Sequence, residues 1–359
     1  MTPIYSIIFA LMLIPIVWYL LILFLSKKKE TSKKAYQGNT SFILICHNEE
    51  LTVENKVAQL VSAQQQLNGK QEIIVISDGS TDQTNSILQS LANKYNFRHC
   101  IVPKRMGKAY ALNLGISLSK YPILIVSDAR QEISKDAIPH LLQPFNDPEI
   151  GATSSRIIHQ GQASVIRKSI NQLKTMESDT GSTIGVYGGL YAVRKECLQN
   201  LPINTILDDL LISLYVLNSE KRVIMVPEVI IYDISIQKYC TKTRILRVTC
   251  GLIRLPFQNI NVFRKLSARQ ILYLYVQKYA KLLTPLFFIL LTVIALFSST
   301  EILIFHVLFF STEILLFAIL NRKVLMRLLR IFGICIFSVG SIKKYNTHLW
   351  EKNSVATQA

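Results

Sequence analysis

Phe42-Ile43-Leu44-Ile45-Cys46-His47-Asn48-Glu49 is the stretch on which the reading of the fold turns. Five apolar residues run unbroken and then give way at once to polar ones. That is the pattern of a strand buried on both faces and ending at a sheet edge. The same pattern recurs downstream. Glu72 to Ser77 leads to Asp78, a short run around Cys100 to Val102 follows, and Ile123 to Ser127 leads to Asp128. Between these runs lie stretches of helical character, Thr52 to Gln66, Thr84 to Lys94 and Lys108 to Ser119. Strands alternating with helices from Thr40 to about Ile236 predict an α/β domain with a largely parallel sheet. In such a sheet the carboxyl edge is where ligands bind. His47, Asn48 and Glu49, then Asp78, then Asp128 all fall on that edge.

Each polar group admits a structural and a chemical reading. Asp78-Gly79-Ser80-Thr81-Asp82 is ordinary turn and cap chemistry, or a carboxylate for a base or ribose with a helix start behind it for phosphate. Gly107-Lys108-Ala109, with Asn113 and Gly115 beyond, opens a helix where a glycine and a lysine can approach a diphosphate. Asp128 ends an apolar strand, where an unpaired carboxylate is costly. It is either satisfied by backbone amides or neutralised by a divalent cation, Mg or Mn, which would also serve a pyrophosphate leaving group. Gly185, Gly188 and Gly189 surround Tyr187 and precede Tyr191. They form a simple loop, or a place where an acceptor approaches the backbone and stacks on the tyrosines. Asp208 and Asp209 begin an apolar helix, as capping residues or as a general base with its neighbour.

The flanks have a different character. Pro3 to Leu25 is almost wholly apolar, and roughly 20 such residues span a bilayer. No basic residue precedes it and no small-residue cleavage site follows, so an anchor is expected rather than a leader. Lys27, Lys28, Lys29, Lys33 and Lys34 then place the next domain in the cytosol. Leu282 to Ser298 and Ile302 to Leu320 read as further spans. Leu328 to Ile342 reads as a third span or an interfacial helix. Glu301 marks a loop, whereas His306 and Glu313 are ionisable groups at membrane depth and so functional suspects.

The formal charge of +17 is concentrated between Lys238 and Lys281, which holds ten Lys and Arg and no Asp or Glu. Ile245, Leu246, Leu252 and Ile253 recur there at helical spacing. An amphipathic helix on an anionic membrane surface is expected, not a nucleic-acid site. The six cysteines are scattered without a metal-binding spacing, so reduced structural thiols are expected. The expected division is an anchor (1–26), a basic linker (27–39), the α/β domain (40–236), a basic interfacial region (237–281), membrane helices (282–342) and a tail (343–359).

Taken in order, Phe42 to Glu50, Asp78 to Asp82, Gly107-Lys108 with Asn113, and Asp128-Ala129-Arg130 resemble the inverting family 2 glycosyltransferases with a GT-A fold. The likeness is to membrane-embedded relatives of poly-N-acetylglucosamine, hyaluronan and cellulose synthases, from about Thr40 to Pro285. The resemblance implies a nucleotide-sugar donor, usually UDP-linked, held at the nucleoside by Glu49 and Asp78. It implies Asp128 at the metal and diphosphate, Arg244 and Arg247 at the family's basic motif, Gly188 and Gly189 at the acceptor, and Asp209 as the catalytic base beside Asp208, while Lys108 and Arg247 are the basic groups expected to meet the diphosphate.

The sequence departs from that pattern in three places. The second carboxylate of Asp-x-Asp is Arg130, placed where it can contact phosphate. The Gln-x-x-Arg-Trp motif reads Arg244-Ile245-Leu246-Arg247-Val248. The base motif opens with Asp208 rather than Glu. The implied function is inverting sugar transfer to a growing polysaccharide or lipid-linked acceptor by a multi-pass enzyme of the cell (inner) membrane. The rivals are single-sugar transfer to a lipid carrier and a silent nucleotide-sugar-binding subunit of a synthase complex. All of this requires Asp78, Asp128 and Asp209 to meet in one cleft.

Overall fold

The computed structural model describes residues 2–159, 165–233 and 241–311. These divide into two compact units. The larger takes the described residues of 27–233 together with 258–266. The other takes 2–26, 241–257 and 267–311.

The larger unit is built on one sheet of eight strands. They are β1 (Thr40–Cys46), β2 (Gln71–Asp78), β3 (Arg98–Val102), β4 (Ile123–Asp128), β5 (Glu132–Ile133), β6 (Ile150–His159), β7 (Leu190–Arg194) and β8 (Arg222–Asp233). The helices of the chain are α1 (Thr2–Leu25), α2 (Val53–Gln64), α3 (Thr84–Tyr95), α4 (Lys108–Leu118), α5 (Ala137–Leu142), α6 (Val165–Asp179) and α7 (Asp208–Asn218). They continue with α8 (Thr241–Gln258), α9 (Ile260–Arg264), α10 (Ala268–Leu274), α11 (Ala280–Leu296) and α12 (Thr300–Ser311).

The strand order is β3-β2-β1-β4-β7-β6-β8-β5. The chain lays β2 and β3 to one side of β1, then returns to place β4 on the other side. That reversal opens a crevice at the carboxyl ends of β1 and β4, where Ile45 is in register with Asp128. The expected parallel sheet is therefore mixed, because β7 runs antiparallel to both β4 and β6. Antiparallel pairing brings the start of β7 beside the end of β4, with Ser127 opposite Leu190. Gly188 and Gly189, just before β7, thus arrive at the same edge as Asp128.

Period-2 alternation assigns the faces of β1. Phe42, Leu44 and Cys46 join Val53, Val57 and Leu60 of α2 and Leu141 of α5 in one buried cluster. Ile43, pointing the other way, lies against α4 at Gly115. Cys46 and Cys197 are buried free thiols, and burial pushes the Cys46 thiol up to about 12, with Glu49 adding to the effect. It is a packing residue rather than a nucleophile.

In the other unit α1 carries exposed Ile7, Leu11, Trp18 and Phe24 and no charged residue. Among the described residues, the helix Pro3–Leu25 alone has the length and apolarity to cross a bilayer. Leu282–Leu296 reaches that length only with Ala268–Tyr279, from which it is bent by 67°. His306, a functional suspect on sequence, is a buried joint. Its Nδ1 lies 3.0 Å from Tyr5 Oη and its Nε2 3.0 Å from Thr292 Oγ1, tying three helices together. The apolar residues of α8 do not all form an open face, since Leu246, Cys250, Leu252 and Leu255 are buried. Residues 312–320, Glu313, the expected span 328–342 and the tail lie outside the described residues, as do Cys240 and Cys335.

Candidate active site

The first polar group after β1 is built into the turn after β2. Asn48, held at φ 53°, accepts the amide of Thr81 on its Oδ1 at 2.8 Å and donates through its own amide to Ser80 Oγ at 3.1 Å. His47 Nδ1 lies 2.7 Å from the carbonyl of Asp78. Gly79 sits at φ 61°, and a Cβ there would stand 2.2 Å from the backbone nitrogen of Arg105. Only glycine lets the two loops come this close.

Asp78 faces the loop that opens α4. Its two carboxylate oxygens accept the amides of Met106 and Gly107, each at 2.8 Å. Gly107 adopts φ 99°, and Lys108 follows as the first helical residue. Asp78 therefore aims Lys108. Asn113, further along α4, both donates to and accepts from the backbone of Leu201, pinning the approach to α7.

Lys108 is the centre of the site. Its Nζ lies 3.1 Å from Asp128 Oδ1 and 3.2 Å from Asp208 Oδ2, with 17% of its side chain exposed. Burial disfavours its charge, but Asp128 and Asp208, followed by Tyr191 and Asp209, outweigh that and hold its pKa above the ordinary lysine value. Gly188 completes the group: a Cβ there would lie 3.4 Å from Lys108 Nζ and 3.8 Å from Asp209 Oδ2. Asp209 is half-buried at the start of α7, and its Oδ1 accepts the amide of Leu210 at 2.8 Å.

His47, Asp78, Arg105, Lys108 and Asp128 line one small cleft, a cavity of about 20 Å³. Asp78 and Asp128 share that lining, and Asp209 lies beside it, near Gly188. A fixed ammonium beside a half-open carboxylate can stabilise a departing anion while a proton is removed nearby.

Other expected residues stand differently. The Glu49 carboxylate is turned inward, with Arg130 Nε at 2.6 Å from Oε1 and Thr52 Oγ1 donating to Oε2 at 2.9 Å. Arg130 thus faces Glu49 rather than open phosphate-binding space. Tyr191 does not offer a stacking surface to an acceptor, because its ring is fully buried on β7. Its hydroxyl points among the charges of Asp208, Lys108 and Asp128 without a hydrogen-bond partner. Burial, then Asp208, raises its pKa well above the ordinary phenol value. Gly189, in the turn before β7, lies against the sheet, where its carbonyl accepts the Asp128 amide at 3.2 Å and a Cβ would stand 2.6 Å from Ile231 Cδ1. Arg244 and Arg247 lie on α8, in the other unit.

Sequence reasoning missed Lys56. It is buried in α2, and its Nζ donates to the carbonyl of Gln131, just beyond Asp128-Ala129-Arg130. Burial lowers its pKa to about 8, against the opposing pull of Asp128 and Glu132. The signal was present: Lys56 falls on the same helical stripe as Val53, Val57 and Leu60. A second miss is Lys174, buried in α6, which donates to the carbonyls of Ile184 and Gly185 and shapes the loop before Gly188.

Where the divalent cation is expected, the carboxylates are already engaged by a basic side chain. Such ions take several oxygen ligands. Here Asp128 already shares Lys108 with Asp208, and the position two residues on is a guanidinium. Among the described residues no group of three His, Cys, Asp or Glu side chains is placed to hold a metal.

Comparisons with known proteins bear on the fold and the family. Residues 41–201 match the family described as Glycosyl transferase family 2. The poly-β-1,6-N-acetyl-D-glucosamine synthase of Staphylococcus aureus (strain COL) is 30% identical over 145 residues, 40% of this chain and 34% of that protein. The synthase of Staphylococcus epidermidis is 28% identical over 170 residues, 45% of this chain and 40% of that protein. The matches thus span little more than a third of those relatives. Among solved structures, the mannosyltransferase PcManGT of Pyrobaculum calidifontis, in complex with GDP-Man and Mn2+, superposes with a TM-score of 0.73 at 18% identity. That likeness covers 95% of this chain and 98% of the other, and it establishes the fold. In an α/β fold of the GT-A type, this chain carries a glycosyl transferase family 2 domain over residues 41–201.

Proposed function

We propose that the chain transfers a sugar from a nucleoside diphosphate donor to a glycan or lipid-linked acceptor, with inversion, at the cytosolic face of the inner membrane. One observation carries this reading: Lys108 Nζ and Asp209 Oδ2, the groups suited to the leaving anion and to the attacking hydroxyl, both lie within 3.8 Å of where a Cβ on Gly188 would stand. A reacting carbon placed there would lie within reach of both.

In the proposed step the acceptor hydroxyl gives its proton to the Asp209 carboxylate as its oxygen bonds to the anomeric carbon. The bond from that carbon to the diphosphate oxygen breaks, and its electron pair leaves with the nucleoside diphosphate. One displacement from the opposite face inverts the centre. Lys108 meets the charge on the leaving group, and Asp78 holds the loop that aims it. Asp128 and Asp208 keep the ammonium in place. UDP is the expected nucleotide from the resemblance, whereas the structural relative holds GDP-Man.

The apolar helix Pro3–Leu25 supports membrane attachment, and the lysines from Lys27 to Lys34 support a cytosolic active site. The bent pair Ala268–Tyr279 and Leu282–Leu296 supports a second crossing. Single-sugar addition to a lipid carrier is the second reading, favoured by Val248 where processive synthases carry tryptophan.

The test is a screen of UDP- and GDP-linked sugars with the purified chain in native membrane. Nucleoside diphosphate release and the size of the labelled product are measured together. Polymer supports extension of a polysaccharide, and a single-sugar lipid supports the second reading. Failure to release nucleoside diphosphate from any donor would contradict both and point to a silent subunit.

A further inference from the structure

We propose that the ammonium of Lys108 stands in for a divalent metal in this site, so that the chain binds and uses its donor without Mg2+ or Mn2+. This rests on the glycosyl-transfer reading and specifies how its leaving group is stabilised.

The first observation is the bridging position of Lys108. Its Nζ is 3.1 Å from Asp128 Oδ1 and 3.2 Å from Asp208 Oδ2, so one cation joins carboxylates from β4 and α7. A metal between those carboxylates would have to expel an ammonium that they hold. The second observation is independent. Two residues after Asp128, where a second oxygen ligand is needed, the chain places Arg130, whose Nε pairs with Glu49 Oε1 at 2.6 Å. The side chain there is a guanidinium, and it is turned to Glu49.

The third observation lies beneath the same loop. Lys56 donates to the carbonyl of Gln131 and so fixes the segment that follows Asp128. Its charge and that of Asp128 attract one another. Lys108 and Arg130 thus pair with the three carboxylates Glu49, Asp128 and Asp208, and Lys56 holds the backbone beside them. A divalent ion added to such a set would compete with Lys108 for Asp128 and Asp208.

The chemistry balances without a metal. Breaking the bond between sugar and diphosphate leaves an electron pair and an added negative charge on the nucleoside diphosphate. The Lys108 ammonium, already protonated, offsets that charge and keeps its proton. The acceptor's proton goes to Asp209, and no oxidation state changes.

The experiment measures binding of UDP and of GDP to the purified full chain by calorimetry, in EDTA and with added Mn2+. Donor turnover is measured in the same two buffers. The expected result is an affinity for the preferred nucleotide that changes by less than about threefold between buffers, with turnover retained in EDTA. Lys108→Gln, which removes the charge, should weaken binding at least about tenfold in both. Binding at least about tenfold tighter with Mn2+, or turnover abolished by EDTA, would overturn the metal substitute while leaving glycosyl transfer intact. Unchanged binding in a folded Lys108→Gln would overturn it as well. If neither nucleotide binds in either buffer, the glycosyl-transfer reading falls and takes this inference with it. Should Lys108→Gln fail to fold, the two-buffer comparison on the unaltered chain still decides.

Discussion

The two sides of the cleft treat their acidic residues in opposite ways. On the β1–β2 side each carboxylate has partners within the protein. Asp78 accepts two backbone amides, and Glu49 divides its oxygens between Arg130 and Thr52. On the β4–α7 side one ammonium serves both Asp128 and Asp208, the Tyr191 hydroxyl is buried without a hydrogen-bond partner, and Asp209 is half-open. Polar groups buried without full partners are expensive, so they persist where a ligand completes them. The first side builds the shape of the site, and the second performs the chemistry.

That contrast can be broken by mutation. The largest loss of stability belongs to Lys108→Met. Removing the shared cation leaves two buried carboxylates uncompensated, at a cost of about 3–5 kcal/mol by denaturant unfolding of the solubilised chain. A loss below 1 kcal/mol would mean that water already screens the cluster. Next comes Asp78→Ala, which strips two charge-assisted hydrogen bonds from the loop before α4 and should cost about 1.5–3 kcal/mol. By contrast Asp209→Ala should change stability by no more than about 0.5 kcal/mol. Equal losses at the two positions would erase the distinction between shaping and reacting carboxylates.

The paired glycines sharpen the comparison on a smaller scale. Gly189→Ala drives a Cβ into Ile231 and Gln131 and should cost about 1–3 kcal/mol. Gly188→Ala meets only ordinary contacts and should leave stability unchanged, while the new methyl stands beside Lys108 and Asp209 and slows transfer. Unfolding curves and turnover of the two variants, run in parallel, check this.

The smallest effect concerns pH. The folded-state pKa of Lys56 is lowered to about 8 from 10.5, so over that window the unfolded chain binds more protons than the folded one. Stability conferred through this group therefore rises with pH. Relative to Lys56→Met, the unaltered chain should gain about 1 kcal/mol between roughly pH 7 and pH 9. A flat difference would show that Lys56 is better solvated than its burial indicates.

Much of this architecture was legible in the sequence, and the limits have physical causes. The buried runs ending in His47, Asp78 and Asp128 located β1, β2 and β4 to within a few residues, because strand burial on both faces is a local signal. The antiparallel insertion of β7 was not legible, since strand neighbours are set by long-range pairing. That pairing decides the fate of Tyr191. Leu190-Tyr191-Ala192-Val193 is buried throughout, so the ring belongs to the core and only its hydroxyl reaches the site. Likewise Asp128-Ala129-Arg130 suggested a phosphate contact. Only the adjacency of β1 and β4 brings Arg130 to Glu49.

The most direct test of the central claim is Asp209→Asn, assayed for nucleoside diphosphate release with donor and acceptor and for nucleotide binding alone. Transfer should fall about 10²–10⁴-fold, as expected for loss of a general base, with binding nearly unchanged. Normal turnover in a folded Asp209→Asn would contradict the account.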